Sequence, residues 1–204
     1  MKKAMFTVIL ILVLFNAGFL FSNDINVKAF GNIFFGESKD IVEDKLKNNP
    51  EITLATFNFG DYLLVYMHLN VGSTRPSHNL YFHFYNNQLY SVEIRSPRKN
   101  ANYFKSSIIN FRNNFVNMIE AQYGAPSWTR NLEYFDIETG YIKWSHIWYA
   151  VDINEDKTIK IGLSVYEYEY YSVMKIEHPP LLEAKELESK QLEEEQTQKD
   201  SDLF

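Results

Sequence analysis

The chain has 204 residues, of which 46% are hydrophobic and 16% aromatic, enough to build the core of one or two small domains. Its formal net charge of −6 argues against a nucleic-acid partner, because phosphate binding depends on clustered lysine and arginine. It contains no cysteine, so it has neither disulfides nor a thiol that could be lipidated.

The first segment predicts export. Met1-Lys2-Lys3 is basic and residues 4–21 form a nearly continuous apolar run, which is the pattern of a secretory signal. We expect a signal peptide over residues 1–23, cleaved near Ser22 or Asn23. The alternative is an uncleaved anchor, since the run is close to the roughly 18 residues that can span a bilayer. Either way the protein is expected in the periplasm or outside the cell, in a bacterial envelope, with membrane contact only through residues 4–21.

Residues 24–180 are expected to form one α+β domain, which begins with a short strand and a short helix. Ser38 is a good helix N-cap, and Pro50 prevents the helix from continuing. The apolar stripe of this helix is narrow and consists of Ile41, Val42 and Leu46. Two strands rich in β-branched and aromatic residues follow, over 52–58 and 62–70, joined at Gly60-Asp61.

Residues 80–94 carry the clearest strand pattern, LYFHFYNNQLYSVEI. Outside the expected turn, their even positions are apolar: Leu80, Phe82, Phe84, Tyr90, Val92 and Ile94. Because side chains alternate faces along a strand, both strands share that face only if the loop between them has an odd number of residues. We therefore expect a hairpin with a three-residue turn around Asn86 and Asn87, and one apolar face that needs a cover.

Residues 101–123 predict a helix that supplies this cover. The apolar steps of three and four fall on Phe104, Ile108, Phe111, Phe115, Met118 and Gln122, with Ile119 beside them. Asn100 or Asn102 can cap its start. Gly124 permits a left-handed C-terminal residue, and Pro126 blocks further helix. We expect the helix to bury its aromatic face against the hairpin.

The second half returns to strands, expected over 132–137, 141–153, 158–168 and 172–176, with tight turns at 138–140 and 154–157. Trp144 and Trp148 should share a buried strand face. Late in the strand expected over 158–168, the apolar residues change from odd to even positions, which predicts a β-bulge near Val165 or Tyr166. Residues 181–204 are rich in Glu, Lys and Gln and should form a solvated helix or a disordered tail.

The predicted fold class is therefore α+β, with two helices packed on antiparallel sheet, and the order suggests tandem helix-plus-sheet units. The residues that carry this pattern are Gly36, Ser38, Val42, Leu46 and Pro50 in the first unit, and Gly124 and Pro126 at the end of the second helix. In these positions the chain resembles the small exported folds of the outer-membrane assembly lipoprotein BamE and of the β-lactamase-inhibitor protein, although it has no lipidated cysteine and its second helix is longer. The resemblance implies an envelope location and a binding or assembly module without catalysis.

Tyrosines provide the candidate binding residues. Tyr81, His83 and Tyr85 lie on the odd face of the predicted hairpin, and a later run contributes Tyr166, Tyr168 and Tyr170. Tyrosine combines a large contact area with a polar hydroxyl, which suits contact with a protein or a glycan. The basic run Arg95, Arg98 and Lys99 could hold an anion, although a solvated loop would carry the same residues.

No catalytic or metal motif is present. The histidines lack metal-ligand spacing, and no Gly-x-Ser-x-Gly turn occurs. Ser145 and His146 are neighbours that should point to opposite faces of a strand, so they should not pair. We expect no cofactor and a non-catalytic binding or assembly protein whose partner is an envelope protein or a glycan. The alternatives are a signal-anchored envelope protein and an exported hydrolase, whose candidate residues would be His83, His146, Glu167 and Glu169.

Overall fold

The computed structural model describes residues 27–50, 52, 57–68, 76–151 and 156–201. The predicted signal segment, residues 1–23, lies outside these ranges. The elements in chain order are β1 (Lys28–Phe30), β2 (Ile33–Phe34), α1 (Lys39–Lys47), β3 (Phe57–Phe59), β4 (Tyr62–His68), β5 (Ser77–Tyr85), β6 (Gln88–Arg95), β7 (Lys99–Asn100), α2 (Ile109–Tyr123), β8 (Trp128–Thr129), β9 (Lys143–Trp148), β10 (Thr158–Tyr166), β11 (Glu169–Glu177) and α3 (Pro179–Ser201). Short 3₁₀ turns at Ala101–Tyr103 and Tyr134–Asp136 and a π-helical turn at Phe104–Ile108 complete the set.

The fold is α+β, as predicted, with a mostly antiparallel sheet and three α-helices in the described ranges. The strand order of the large sheet is β3-β4-β5-β6-β11-β10-β9-β8, and β7 pairs with β11 beside this path. Strands β6 and β11 therefore meet at the centre, where Ile94 lies opposite Met174. Of the described helices, none is both long and apolar enough to cross a membrane.

The central hairpin exists, but its turn is shorter than predicted. Asn86 and Asn87 both adopt positive φ, at 47° and 60°, and form a two-residue turn between Tyr85 and Gln88. The register then slips between the His83–Ser91 and Phe84–Leu89 pairs, which leaves Tyr90 as the extra residue of a bulge. The prediction of a three-residue turn was wrong because a bulge can restore the shared face as well as an odd loop can.

The helix-covered face holds the core, as the pattern predicted. Leu80, Phe82 and Ile94 of the hairpin are buried in one cluster with Phe115 and Ile119 of α2. The predicted stripe was too wide at its end, because Met118 and Gln122 are exposed and Val116 is buried instead. Asn100 caps the helical segment, its side-chain oxygen accepting from the backbone N–H of Asn102 at 3.1 Å, and Gly124 ends it with φ of 77°.

Helix α1 contributes Val42 and Leu46 to the same core. Ile41, predicted to share their stripe, is 49% exposed, so only two of the three apolar positions face inward. Ser38 has the extended conformation of an N-cap residue but makes no side-chain cap; instead Asn87 Oδ1, at the hairpin turn, accepts from the backbone N–H of Lys39 at 3.1 Å. The N-terminus of α1 is therefore tied to the turn of the central hairpin.

The second half differs from the prediction in its details. The expected strand over 132–137 is wrong, since this stretch contains the 3₁₀ turn at Tyr134–Asp136. The predicted bulge near Val165 is also wrong: β10 ends at Tyr166, and Glu167 and Tyr168 form a two-residue turn with φ of 49° and 67°. Because the chain reverses at this turn, the apolar residues fall on alternate positions before and after it. The real bulge is in β9, where the register with β10 slips between Ile161 and Gly162. The expected turn at 154–157 lies mostly outside the described residues.

The C-terminal segment forms α3, one of the two structures expected for it. The helix begins at Pro179, and Leu181 is buried in the main core. Further along, Lys185 Nζ donates to the hydroxyl of Tyr90 at 2.7 Å, so the first turns of α3 pack against the central hairpin.

Candidate functional site

The candidate site is the open face of the large sheet, which we define as the face opposite to α2. Because strand side chains alternate, the residues between the core positions all point to this face. The cross-strand pairs Tyr81–Glu93 and Glu93–Lys175 form one row of it across β5, β6 and β11, and the pair Tyr62–His83 belongs to the next row. The open face carries tyrosines and charged groups, in contrast to the apolar core behind it.

An aromatic stripe crosses the open face from β3 to β10. We define it by seven residues in spatial order: Phe59, Tyr62, Tyr81, Arg95, Tyr171, Arg98 and Tyr166. The first three are joined by ring contacts, with centroid distances of 5.2 Å from Phe59 to Tyr62 and 5.8 Å from Tyr62 to Tyr81. The stripe spans six strands, which corresponds to a length of about 24 Å.

The rest of the stripe alternates arginine with tyrosine. The guanidinium carbon of Arg95 lies 4.2 Å from the ring centroid of Tyr81 and 5.6 Å from that of Tyr171. The guanidinium carbon of Arg98 lies 5.7 Å from Tyr171 and 4.5 Å from Tyr166. These distances are within the range of cation–π contact, so both guanidinium groups are held in place by ring faces.

A network of charges lies beside the stripe. Arg95 donates to the buried carboxylate of Glu93. Glu177, only 3% exposed, accepts from Lys160 at 2.7 Å and Lys175 at 2.6 Å. Burial opposes the charge of Glu177, but the two ammonium groups outweigh it and lower the pKa of Glu177 below its ordinary value. The centre of the open face therefore carries fixed, paired charges.

Further exposed aromatic residues gather at the end of the sheet where β10 turns into β11. Each of them is at least 46% exposed, and Tyr168 reaches 90%: Tyr103, Tyr134, Phe135, Tyr141, Tyr166 and Tyr168. Ser164 donates to the carbonyl of Tyr141 at 2.9 Å, which ties the 138–141 segment to this end. Tyr134 lies on the helix-covered side of this end, with its ring 6.4 Å from that of Phe104, so these rings do not all extend the stripe.

The structure divides the first predicted group. Tyr81 belongs to the stripe, whereas Tyr85 donates its hydroxyl proton to Glu188 of α3. His83 lies between them, with its ring centroid 6.3 Å from those of Tyr81 and Tyr90. Burial lowers the pKa of His83 to about 4, so its ring is neutral at pH 7.

The second predicted group is divided too. Tyr166 is in the stripe and Tyr168 is in the turn, but Tyr170 lies on the helix-covered side with its ring 5.2 Å from that of Phe104. Tyr171, which the sequence reasoning missed, takes the central place between the two arginines. A two-residue turn at 167–168 would have revealed it, since that turn pairs Tyr171 with Ser164 and thus puts it on the face of Tyr166.

Two residues of the predicted basic group are brought together with these tyrosines, since Arg95 and Arg98 are both part of the stripe. Lys99 is exposed on β7 and pairs with Tyr170, so its side chain belongs to the helix-covered side and not to the stripe. The sequence suggested an anion site and an aromatic site separately, and the structure places arginines and tyrosines in one surface.

Ser145 and His146 correct a further expectation. The bulge in β9 lets neighbouring residues approach, and Ser145 Oγ lies 2.8 Å from His146 Nδ1. Ser145 is fully buried, and its single hydroxyl proton is donated to the carbonyl of Ile161 at 3.1 Å. Because that proton points away from the histidine and no substrate reaches a buried hydroxyl, this pair lacks the geometry of a nucleophile with its base.

The residues weighed for a hydrolase are scattered. His83 is on the open face of β5, and His146 is on the other face of β9, where it stacks on buried Trp148. Glu167 lies in the β10–β11 turn and Glu169 begins β11. Trp144, expected beside Trp148 in the core, instead lies near Lys160 on the open face because of the bulge. Among the described residues, no group of three or more His, Asp or Glu side chains could hold a metal ion.

Neither the known family models, nor the curated proteins, nor the solved structures include a match to this chain.

Proposed function

We propose that the protein is an exported, non-catalytic binding or assembly protein of a bacterial cell envelope, and that its open face holds the partner. The observation that carries the proposal is the aromatic stripe. Export is supported by the basic start and the apolar run over residues 4–21. The partner class is an envelope protein or an envelope glycan.

The stripe has the properties of a contact surface. Tyrosine and arginine are the residues that contribute most often to binding energy at interfaces, because they offer large, rigid or planar groups with polar ends. Arg98 has no ion-pair partner among the described residues, so its guanidinium can donate hydrogen bonds to a carboxylate of the partner. A length of about 24 Å would accommodate an extended chain of several residues or sugars.

We further propose that the chain consists of two tandem helix-plus-sheet units, α1 with β3–β6 and α2 with β8–β11. The topology supports this proposal, since each helix precedes an antiparallel run of strands and the two final strands, β6 and β11, pair with each other. Such an arrangement is consistent with the resemblance to BamE and the β-lactamase-inhibitor protein. That resemblance rests on short motifs and on this order of elements.

Site-specific photo-cross-linking in the native cells tests the proposed function. A photoreactive phenylalanine analogue at Tyr166 would report partners of the stripe, and the same residue at Ile41, exposed on α1, is the matched control. We expect one defined protein or glycan adduct from Tyr166, greatly reduced by Arg98→Ala, and none from Ile41. Equal adducts from both positions, or adducts that survive Arg98→Ala, would contradict the proposal.

The N-terminus of the cross-linked protein tests export in the same experiment. Mass spectrometry that finds a mature N-terminus near Asn23 or Asp24 would support a cleaved signal. An intact N-terminus in the membrane fraction would support the anchored form. An intact protein in the cytoplasm would overturn the envelope location, whatever the stripe binds.

A further inference from the structure

A cleft of about 740 Å³ opens at the turn of the central hairpin, away from the arginine end of the stripe. Four segments converge on it: the first residue of α1, the β3–β4 turn, the β5–β6 hairpin and α3. The residues that supply its polar groups are Lys39, Asp61, His83, Asn86, Asn87 and Lys185. Its volume is in the range of small-molecule sites, roughly 300–1,000 Å³.

Hydrogen bonds between these segments fix the walls of the cleft. Asn87 Oδ1 accepts from the backbone N–H of Lys39 at 3.1 Å, and the N–H of Phe84 donates to the carbonyl of Asp61 at 2.8 Å. On the other side, Asn86 Nδ2 donates to Glu188 of α3 at 3.2 Å. The cleft is thus formed before any ligand binds, which lowers the ordering cost of binding.

Two lysines line this cleft, Lys39 from the start of α1 and Lys185 from α3, and both have neutral partners. Lys185 Nζ donates to the hydroxyl of Tyr90 at 2.7 Å and lies 4.6 Å from the centroid of that ring. Lys39 Nζ donates to the carbonyl of Gly60 and lies 6.0 Å from the ring centroid of Phe84. Neither ammonium group forms an ion pair with a carboxylate in the described ranges.

The side chains that line the cleft include two ammonium groups, of Lys39 and Lys185, and one carboxylate, of Asp61, while the ring of His83 is neutral. The carboxylate of Glu188 borders the lining, where it accepts hydrogen bonds from the hydroxyl of Tyr85 and the amide of Asn86. Because neither lysine forms an ion pair with these carboxylates, each ammonium group can still pair with the acidic group of a ligand.

We propose that this cleft binds a small hydroxylated anion, a sugar acid or sugar phosphate, whose acidic group lies between Lys39 and Lys185. The carboxylate of Asp61 and the amides at the turn are placed to bind hydroxyl groups. A carboxylate and a phosphate share the required chemistry. This site shares no residue with the aromatic stripe, although the ring of His83 in its lining lies 5.8 Å from that of Tyr62, and it does not depend on the partner proposed there.

Titration of the ¹⁵N-labelled protein, followed by amide chemical shifts, tests the site. The probes are glucuronate, glucose 6-phosphate and, as the uncharged match, glucose. We expect saturable shifts at Lys39, Asn86, Asn87 and Lys185 with one or both anions at millimolar concentration, and none with glucose. The stronger of the two anions identifies the acidic group as carboxylate or phosphate.

Lysine variants complete the test. Lys39→Gln and Lys185→Gln should each weaken anion binding by about tenfold, because a charged hydrogen bond is lost. Lys190→Gln, on the exposed part of the same helix as Lys185, removes the same charge outside the cleft and should leave binding unchanged. Thermal melts without probe would show that the variants fold.

The proposal is overturned if neither anion gives saturable shifts at the cleft, if glucose binds as well as the anions, or if the two cleft variants bind like Lys190→Gln. This outcome can be distinguished from a failure of the function proposed for the stripe. Cross-linking at Tyr166 should be unaffected by Lys39→Gln, and anion binding should be unaffected by Arg98→Ala.

Discussion

The two faces of the large sheet are built from the same strands but from different side chains. The face under α2 is filled with fully buried residues such as Phe82, Ile94 and Phe115. The open face carries tyrosines, arginines and paired charges, and its outermost rings, such as Tyr166, are about half exposed. Alternation along each strand permits this division, because every second residue belongs to the other face.

The difference between the faces shows where stability and binding are separated in this fold. Burial of apolar area stabilises a domain in proportion to the area removed from water. Half-exposed rings and surface ion pairs add little, since an exposed pair contributes about 0–1 kcal/mol. Substitutions on the covered face should therefore change stability, and substitutions at the exposed positions of the open face should change binding.

The largest effect is expected from Phe115→Ala, at the centre of the covered face. Phe115 is fully buried in the main cluster, and its removal leaves a cavity between α2 and the sheet. We expect the free energy of unfolding to fall by about 3–5 kcal/mol. Urea denaturation monitored by circular dichroism measures this change.

Tyr166→Ala is the matched aromatic substitution on the open face. Tyr166 is 46% exposed and loses mainly its contact with Arg98, so the free energy of unfolding should change by about 1 kcal/mol or less. If Tyr166→Ala destabilised the protein as much as Phe115→Ala does, the open face would be part of the core and the comparison would fail.

Acid should destabilise the protein through histidines on both faces. Burial lowers the pKa of His83, on the open face, from 6.5 to about 4, and also lowers the pKa of His78, on the covered face. Because the folded pKa lies below the unfolded one, the unfolded state binds the proton first, and stability falls as the pH drops from 6.5 toward 4. His83 alone contributes up to about 3 kcal/mol to this loss.

The variant His83→Gln sharpens this prediction, since glutamine keeps a polar side chain of similar size but does not titrate. Urea denaturation at several pH values between 7 and about 4 should show a smaller loss of stability for the variant than for the native protein. An unchanged pH dependence would mean that His83 is not the group that protonates on unfolding, and would assign the acid loss to His78 and the remaining shifted histidines, His146 and His178.

The sequence was sufficient to predict the covered face but less so the open one. Apolar residues recur every second position along the hairpin strands and every three or four positions along α2, and this local pattern is enough to predict which side chains are buried. The errors in the fold came from turns and bulges: the Asn86-Asn87 turn is one residue shorter than expected, and Tyr90 becomes the compensating bulge. One misplaced residue of this kind reverses every following side chain.

The candidate site was also only partly predictable from the sequence. Tyr81, Arg95, Arg98 and Tyr166 were all named from composition, but not as one surface. Their assembly depends on β6 pairing with β11, which are far apart in the chain, and no local pattern predicts that pairing. Tyr171 was missed because the turn at 167–168 was interpreted as part of a strand.

Another prediction concerns the bulge that carries Trp144 to the open face. A Cβ added at Gly162 would lie 2.4 Å from the carbonyl oxygen of Lys143, which belongs to the backbone and cannot move away alone. Gly162→Ala should therefore lower the free energy of unfolding by about 1–3 kcal/mol. Urea denaturation measures the loss, and an unchanged midpoint would show that β9 and β10 are not in this close contact.

The smallest effect on stability is expected from Arg98→Ala, which tests whether the open face contributes to binding without contributing to stability. Removal of this guanidinium costs only its contacts with the rings of Tyr166 and Tyr171, about 0.5–1 kcal/mol at an exposed site. The same substitution should nevertheless abolish most of the partner adduct formed at Tyr166, because the arginine offers a planar donor set to the partner.

Arg98→Lys separates charge from stacking in that test. Lysine retains the positive charge but not the planar group that lies against two rings, so the adduct should remain weak if the stripe recognises its partner through an ordered guanidinium. Full recovery with lysine would show that charge alone is recognised. A large loss of stability in either variant would instead make Arg98 a structural residue, and the open face would then stabilise the fold in the way that the covered face does.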